Sequence, residues 1–435
     1  MNESMRAFND YNVSLTKLYH EIVLGKLHVQ TELQVTADMV ADELRRIIPI
    51  DRLRKAGSFF TGDVLAGRAT GSVSDHGLIL DPACGAGSLL TAFTKKLTVK
   101  TTLADTLREW GRVLYGCDLF PEFVEATKLR IILEAISRGV QLNGDSLDEL
   151  KDLLYGIKQG DGLRSVPPEK CTHVLMNPPF RSVPAPANCQ WAGGKLNEAA
   201  LFVEYYLQRI PENCTLIAIL PEVLRCGTRY EKWRAWLEEN FTAEVTLSGQ
   251  FDTKTDVDVF LLAASRLSTQ KSGENQINWR TQTDEPTVLT VGSLFDVRVG
   301  SVVPYRDEIA GKEYPFACPS NLPRWGIVSE FKDRCGYVGR KINPPFVAIR
   351  RTSSPSDRER AAATIVIGKE AVAVENHLIA ASPRKGGLRA CKRLLKLLRS
   401  AETNRFLNRR MRCRHLTVGA VKEINIQEKI HAQTD

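Results

Sequence analysis

The sequence predicts an α/β protein: a mostly parallel sheet with flanking helices, followed by a β-rich α+β region. Three observations predict it. Between about 78 and 220, short apolar runs alternate with amphipathic segments, the pattern of parallel strands linked by helices. The first of those runs ends in a glycine-rich turn that opens a helix. Beyond about 268 the alternation stops and short strands alternate with turns. The 435 residues suit two or three domains at roughly 100–200 residues each. We place the boundaries at 1–55, 56–268 and 269–435.

Residues 1–55 read as helical. SLTKLYHEIVLGKL spaces its apolar residues by three and four, and a second helix runs from a Thr36 cap through Met39, Val40, Leu44, Ile47 and Ile48 to Pro49. LILDPA (78–83) is the first strand and GSLLTAFTKKL the helix after it. VLYGCDL (113–119), the helix PEFVEATKLRIILEAIS, YGIKQGD (155–161), THVLMNPP (172–179), the helix NEAALFVEYYLQRI and TLIAILP (215–221) follow. After a helix near 230–240, EVTLSGQF and DVDVFLLAASR are close enough to pair as an antiparallel hairpin at the sheet edge. STQKSGENQ (268–276) has the composition of a linker. FVAIRRT and TIVIG are strands of the last region, and LRACKRLLKLLRSAETNRFLNRR is its helix.

Composition narrows the class. Hydrophobic residues make up 43% and charged residues 25%, as in ordinary globular proteins. No apolar run reaches the ~18–20 residues that span a bilayer, and the polar N-terminus resembles neither a secretory nor a transit signal. No membrane association is expected. The ten cysteines are scattered without a CxxC, and no Cys/His cluster has zinc spacing, so free thiols in the cytoplasm and no metal are expected. The net charge of +8 is uneven. Residues 1–270 carry 30 Lys/Arg against 34 Asp/Glu, and residues 271–435 carry 29 against 17. That asymmetry fits a polyanion-binding C-terminal region or a solvated basic surface.

Asp81-Pro82-Ala83-Cys84-Gly85-Ala86-Gly87 lies at a strand's C-terminal end, where doubly wound sheets bind ligands. Glycine lets a backbone approach a ligand that a Cβ would obstruct. A third glycine at GxGxxG spacing is missing, since position 90 is Leu90, and there is no GxxxxGK[ST]. The loop therefore suits a cationic ligand better than a pyrophosphate; a plain strand–helix turn is the competing reading. Asp118 closes the next strand and can accept both hydroxyls of a ribose. Asp161, in Gly160-Asp161-Gly162, ends a third and can accept from an adenine amine. Each alone is equally readable as a turn or cap aspartate; three strand-end acids in series after one glycine loop argue for a ligand site.

Asn177-Pro178-Pro179-Phe180 ends the strand THVLM, 16 residues after Asp161. An amine on an aromatic base is a poor nucleophile because its lone pair is delocalised into the ring. Acceptors for both its N–H bonds favour a tetrahedral nitrogen whose lone pair points at an electrophile. The Asn177 side-chain carbonyl and the Pro178 main-chain carbonyl are two such acceptors. The prolines stiffen the turn and remove backbone donors, and Phe180 offers a stacking face. A proline-rich strand terminator is the bland alternative.

Taken together, these motifs in this order resemble the adenine-N6 DNA methyltransferases, in the class whose cofactor motifs precede the catalytic motif and whose target-recognition domain comes last. Modification enzymes of restriction systems belong to it. The resemblance covers roughly residues 50–265. It implies a Rossmann-like class I methyltransferase sheet, S-adenosylmethionine as cofactor, base flipping in duplex DNA, and restriction or phage-defence subunits as partners. Gly57-Ser58-Phe59-Phe60-Thr61 resembles the segment at the methionine end of the cofactor, with Gly62 where the family usually has proline. Asp81, Ala83, Gly85 and Gly87 fall at the methionine moiety, Asp118 at the ribose, and Leu119 beside the adenine ring. Asp161 falls at the cofactor adenine, with Asp145 in Asn143-Gly144-Asp145 as a competing candidate. Asn177, Pro178, Pro179 and Phe180 match the catalytic motif, and Phe251 resembles an aromatic that packs on the target base. The loop 181–195 is placed to close over an extruded nucleotide, with Trp191 either a DNA contact or part of a disordered connector. Methyltransferases of RNA or of protein glutamine share the motif. A non-catalytic DNA-binding subunit is a second rival.

Residues 270–435 resemble a target-recognition domain, a β-rich DNA-binding unit. Residues 384–414 carry 12 Lys/Arg and one acid, Glu402, enough to follow a phosphate backbone. Arg350 and Arg351 are candidates for reading guanine edges, or solvated arginines. Asn343-Pro344-Pro345-Phe346 repeats the tetrapeptide without the preceding loop and acids, and precedes a strand, so it reads as coincidence.

Overall fold

A computed structural model describes residues 2–26, 61–251, 257–266, 277–279, 289–304 and 311–426. Phe60, the helix expected from Thr36 and the linker 268–276 lie outside them. The chain divides into two compact units, 1–225 with 229–279, and 226–228 with 280–435.

The first unit is built on a seven-stranded sheet. Its strands are β1 (Leu78–Asp81), β2 (Leu114–Asp118), β3 (Ile157–Gln159), β4 (Cys171–Met176), β5 (Thr215–Pro221), β6 (Phe241–Gln250) and β7 (Asp258–Arg266), in the order β3-β2-β1-β4-β5-β7-β6. Neighbours are parallel as far as β5, and β7 is antiparallel to both β5 and β6. The expected hairpin is present, with β7 inside and β6 at the edge. Side chains of β5 alternate, as strand geometry requires. Ile217 and Ile219 enter one core, while Leu216, Ala218 and Leu220 enter the other.

Helices α1 (Asn2–Val23), α2 (Asp63–Thr70), α3 (Ser88–Thr94), α4 (Leu103–Val113), α5 (Pro121–Ser137) and α6 (Leu147–Asp152) contribute to the first core; α7 (Glu198–Leu207) and α8 (Glu231–Asn240) contribute to the second. The N-terminal helix is docked here, not separate. Phe8 meets Phe123 edge to face at 4.3 Å, and Asn12 Nδ2 donates to the Glu122 carbonyl at 2.9 Å. Pro121 at the first turn of α5 has no N–H to lose, so the helix starts where the sequence indicated. At the other end of α3, Lys96 Nζ donates to the carbonyls of Thr70, Gly71 and Val73 at 2.6–2.9 Å.

The loop expected over 181–195 contains a short antiparallel pair, Ser182–Pro184 with Lys195–Asn197. Trp191 is 5% exposed and packs in the second core near Tyr230. Its indole is a packing element, which excludes both a surface DNA contact and a disordered connector for this residue.

The second unit contains β8 (Phe295–Val299), β9 (Ile327–Val328), β10 (Phe346–Arg350), β11 (Ala363–Val366) and β12 (Leu378–Pro383), ordered β8-β12-β10-β11-β9. A three-stranded sheet of Arg334–Gly336, Glu313–Ala317 and Ala373–Val374 accompanies it. The single helix expected over 388–410 is two, α9 (Gly387–Leu398) and α10 (Ala401–Arg410). Ser400 caps the second, its hydroxyl accepting from Thr403 N at 3.1 Å, and a cap offers the chain an alternative to continuing the first helix. Phe346 of the second Asn-Pro-Pro-Phe is fully buried in this unit's core, a packing role.

Candidate active site

In the doubly wound part of the sheet, the chain leaves β1 toward β2 on one side, while β4 flanks β1 on the other. Such a reversal opens a crevice at the strands' C-terminal ends. Asp81 is the last residue of β1 and Asp118 the last of β2; Asp161 lies two residues past β3, and Asn177 directly follows β4. Leu80 faces Val174 across β1 and β4, so the glycine loop and the Asn-Pro-Pro-Phe turn leave neighbouring strands in step, about 4.8 Å apart.

The glycine loop requires left-handed backbone. Gly85 has φ 52° and Gly87 φ 79°, where Gly87 also caps α3. A Cβ on Gly87 would lie 2.7 Å from Thr127 Cγ2. The loop is held from below by α5: Thr127 Oγ1 donates to the Gly85 carbonyl at 2.8 Å and Arg130 Nη1 to the Ala86 carbonyl at 2.5 Å. It is held from the side by β2, through Cys84 N to the Cys117 carbonyl at 3.0 Å and Gly85 N to Asp118 Oδ2 at 3.0 Å. We expect Gly87→Ala to destabilise this loop by at least about 1–2 kcal/mol through its left-handed φ alone, with the Thr127 contact in addition. A lowered thermal midpoint together with weakened S-adenosylmethionine binding would show it; an unchanged midpoint would contradict the strain.

The carboxylates are unusual. Asp81 is 2% exposed. Burial raises its pKa to about 8, against one hydrogen bond from Ala83 N, with the Asp118 charge adding to the rise. Burial likewise raises Asp118 to about 6, although the amides of Phe120 and Gly85 donate to it. Neither has a cationic partner among the described residues. Two desolvated acids against an open-backbone loop fit a ligand that brings its own positive charge and hydroxyls. Leu119, beside them, is 50% exposed. Asp161 accepts from Leu163 N at 2.9 Å and lies 3.5 Å from Arg164. Asp145 precedes α6 in the connection leading into β3, where its carbonyl accepts from the Tyr19 hydroxyl at 3.3 Å.

At the catalytic-type turn, Asn177 Nδ2 donates to Thr61 Oγ1 at 2.9 Å. Phe180 and Phe251 meet edge to face at 6.3 Å, and Phe251 is 6% exposed. The turn's exit is pinned to the start of α7. Asn197 Nδ2 donates to the Phe180 carbonyl at 2.9 Å, and Arg181 forms a two-pronged ion pair with the buried Glu198. Thr127, Arg130, Arg181, Asn197 and Glu198 were not read from the sequence. For Thr127 and Arg130 there was a signal, their i,i+3 spacing on the helix after Asp118. For the others there was none locally.

In the second unit, Arg350 donates to the Leu322 carbonyl at 2.8 Å and Arg351 to the Asn376 carbonyl at 3.3 Å. Both guanidinium groups are part-buried, and each thus has a carbonyl partner within its own unit. Within 384–414, Arg399 pairs with Glu359 and Arg410 with Glu423. Arg384, Lys385, Arg389 and Arg393 border a cavity of about 440 Å³ floored by Leu294, Phe295 and Leu394.

The first unit is a doubly wound, Rossmann-like α/β sheet with an antiparallel hairpin at one edge, and the chain adds a β-rich second unit. No family model and no curated protein matches the sequence. Among solved structures, the chain is similar to the type IIL restriction-modification enzyme MmeI, solved in complex with DNA. The match covers 90% of this chain and 72% of that one, with a TM-score of 0.53 and 11% identity. It also matches a candidate class I S-adenosylmethionine-dependent methyltransferase from Listeria monocytogenes (60% and 76% covered, TM-score 0.42, 14% identity). The methyltransferase subunit of a type I restriction-modification system from Streptococcus thermophilus gives 57% and 52% coverage, TM-score 0.37 and 18% identity. At these identities the likeness is one of fold.

Proposed function

We propose that the chain is an adenine-N6 DNA methyltransferase of a restriction-modification or phage-defence system, with S-adenosylmethionine as methyl donor. The observation that carries this reading is the adjacency of two chemistries at one switch point: desolvated Asp81 and Asp118, without a cationic partner among the described residues, at the ends of β1 and β2, and Asn177-Pro178-Pro179-Phe180 at the end of the neighbouring β4.

When bound, the cofactor supplies a methyl group on a sulfonium, an electrophile that needs no metal. Asp81 faces its cationic methionine end with Ala83, Gly85 and Gly87; Asp118 accepts from the ribose hydroxyls, with Leu119 flanking the ring. Asp161 accepts from the adenine amine, a role its position past β3 supports over Asp145, which precedes that strand. The Asn177 and Pro178 carbonyls accept both N–H bonds of the target amine and turn its lone pair outward. Phe180 stacks the flipped base, with Phe251 behind it, offsetting an unstacking cost of a few kcal/mol. Holding both reactants in one crevice then supplies much of the rate. Residues 269–435 act as the recognition domain, with double-stranded DNA as partner.

The test is transfer of labelled methyl to unmodified plasmid DNA, combined with sequencing of modified bases in DNA from cells with and without the protein. N6-methyladenine at one sequence context supports the reading. Label entering RNA or protein but not DNA would reassign the substrate, and no label in any of them would leave a binding subunit.

A further inference from the structure

We propose that Cys226 and Cys413 form a reversible dithiol–disulfide pair, oxidised by small-molecule disulfides, and that the bond locks the second unit. Their chemistry is independent of methyl transfer. The two sulfurs lie 2.9 Å apart although 187 residues separate them in sequence. A disulfide holds its sulfurs about 2.05 Å apart, so the bond closes with a shift of about 1 Å.

Both residues sit in one apolar cluster of the second unit, with Met411 and Leu416. The segment that carries Cys413 is fixed. The buried Arg360 donates to the carbonyls of Met411 and Cys413 at 2.6 Å each, and Leu416 N donates to the Arg351 carbonyl at 2.8 Å. Cys226 ends the short helix Glu222–Cys226, in which the buried Arg225 is paired with Glu222. Access sets the order of events. Cys226 is 6% exposed and Cys413 is half-buried, so an oxidant reaches Cys413 first. The Cys413 thiolate attacks the small-molecule disulfide, breaks its S–S bond and expels one thiolate, which leaves a mixed disulfide. The Cys226 thiolate then attacks Cys413 Sγ and expels the second. The two cysteines give up two electrons, and the oxidant leaves as two thiols carrying the two protons; a dithiol reductant reverses the exchange. Another close pair, Cys171 and Cys214, has its sulfurs 3.9 Å apart, but these residues are 3% and 0% exposed and offer an oxidant no entry. Closing so long a loop restricts the unfolded chain strongly, so the oxidised unit should be the more stable one.

The test incubates the reduced full chain with oxidised glutathione. The thiols that titrate in denaturant should fall from ten to eight, ten less the two joined. A non-reducing digest should show the Cys226 and Cys413 peptides linked, and dithiothreitol should part them. The thermal midpoint should rise by about 5 °C or more on oxidation and return on reduction. In Cys226→Ser the reaction should stop at the mixed disulfide, with glutathione held on Cys413 and no rise in midpoint. In Cys413→Ser, Cys226 should take up no glutathione. Ten thiols after oxidation of the wild-type chain, or a linkage between other cysteines, overturns the inference. Glutathione on Cys226 in Cys413→Ser overturns the order of attack, and an unmoved midpoint in the linked chain overturns the lock.

Discussion

Replacing Asn177 with alanine is expected to reduce methyl transfer by about a hundredfold or more while S-adenosylmethionine still binds. The magnitude follows from removing one preorganised polar group at a reacting centre, which costs about 10²–10³ in turnover. Truncation leaves the Pro178 carbonyl but deprives the target amine of its second acceptor, so its lone pair relaxes back into the ring. The acids proposed to hold the cofactor end β1 and β2, one and two strands away from Asn177. Asp118→Ala should show the converse, a weakened calorimetric Kd for S-adenosylmethionine. Normal turnover in Asn177→Ala would remove that amide from the chemistry.

Cofactor binding should tighten as pH rises toward 8 and then level off. Asp81 in the ligand-free protein holds its proton up to about 8 because burial disfavours the anion. A cationic ligand favours the carboxylate, so binding expels that proton. At pH 6 only about one Asp81 in a hundred is ionised, so the affinity should rise roughly fiftyfold between pH 6 and 8. Asp118, with its pKa near 6, steepens the fall below that. The sign for folding is opposite. An acid whose folded pKa lies above its unfolded value of 3.8 makes the ligand-free protein less stable as pH climbs from that value toward 8. Isothermal titration across this range is the measurement, and Asp81→Asn should flatten the profile. A flat profile in the unaltered protein would place Asp81 away from the cation.

Much of the sheet was legible because its strands are apolar runs that stop at Gly, Asp and Pro. LILD, LYGCD and TLIAILP are strands, and the helix 121–137 matches the structure residue for residue. The acids were legible for the same reason, since a strand that must be apolar makes a terminal aspartate conspicuous. What escaped was tertiary. Nothing near Trp191 shows that a glycine- and proline-rich stretch folds back as a small hairpin and buries an indole. No glycine or proline marks the break at Ser400, so a hydroxyl cap decided it. The basic appearance of Arg350 and Arg351 concealed carbonyl partners 28 and 25 residues away. The Arg181–Glu198 clamp joins the two sides of a loop that the sequence leaves undivided.

The Lys96 tie to Thr70, Gly71 and Val73 marks the opposite rim of the sheet, where strands begin. The tie lies away from the strand ends that carry Asp81, Asp118 and Asn177, so it braces the run into β1 without touching those residues. Removing the ammonium in Lys96→Met should therefore shorten the protein's lifespan at elevated temperature while leaving S-adenosylmethionine affinity intact.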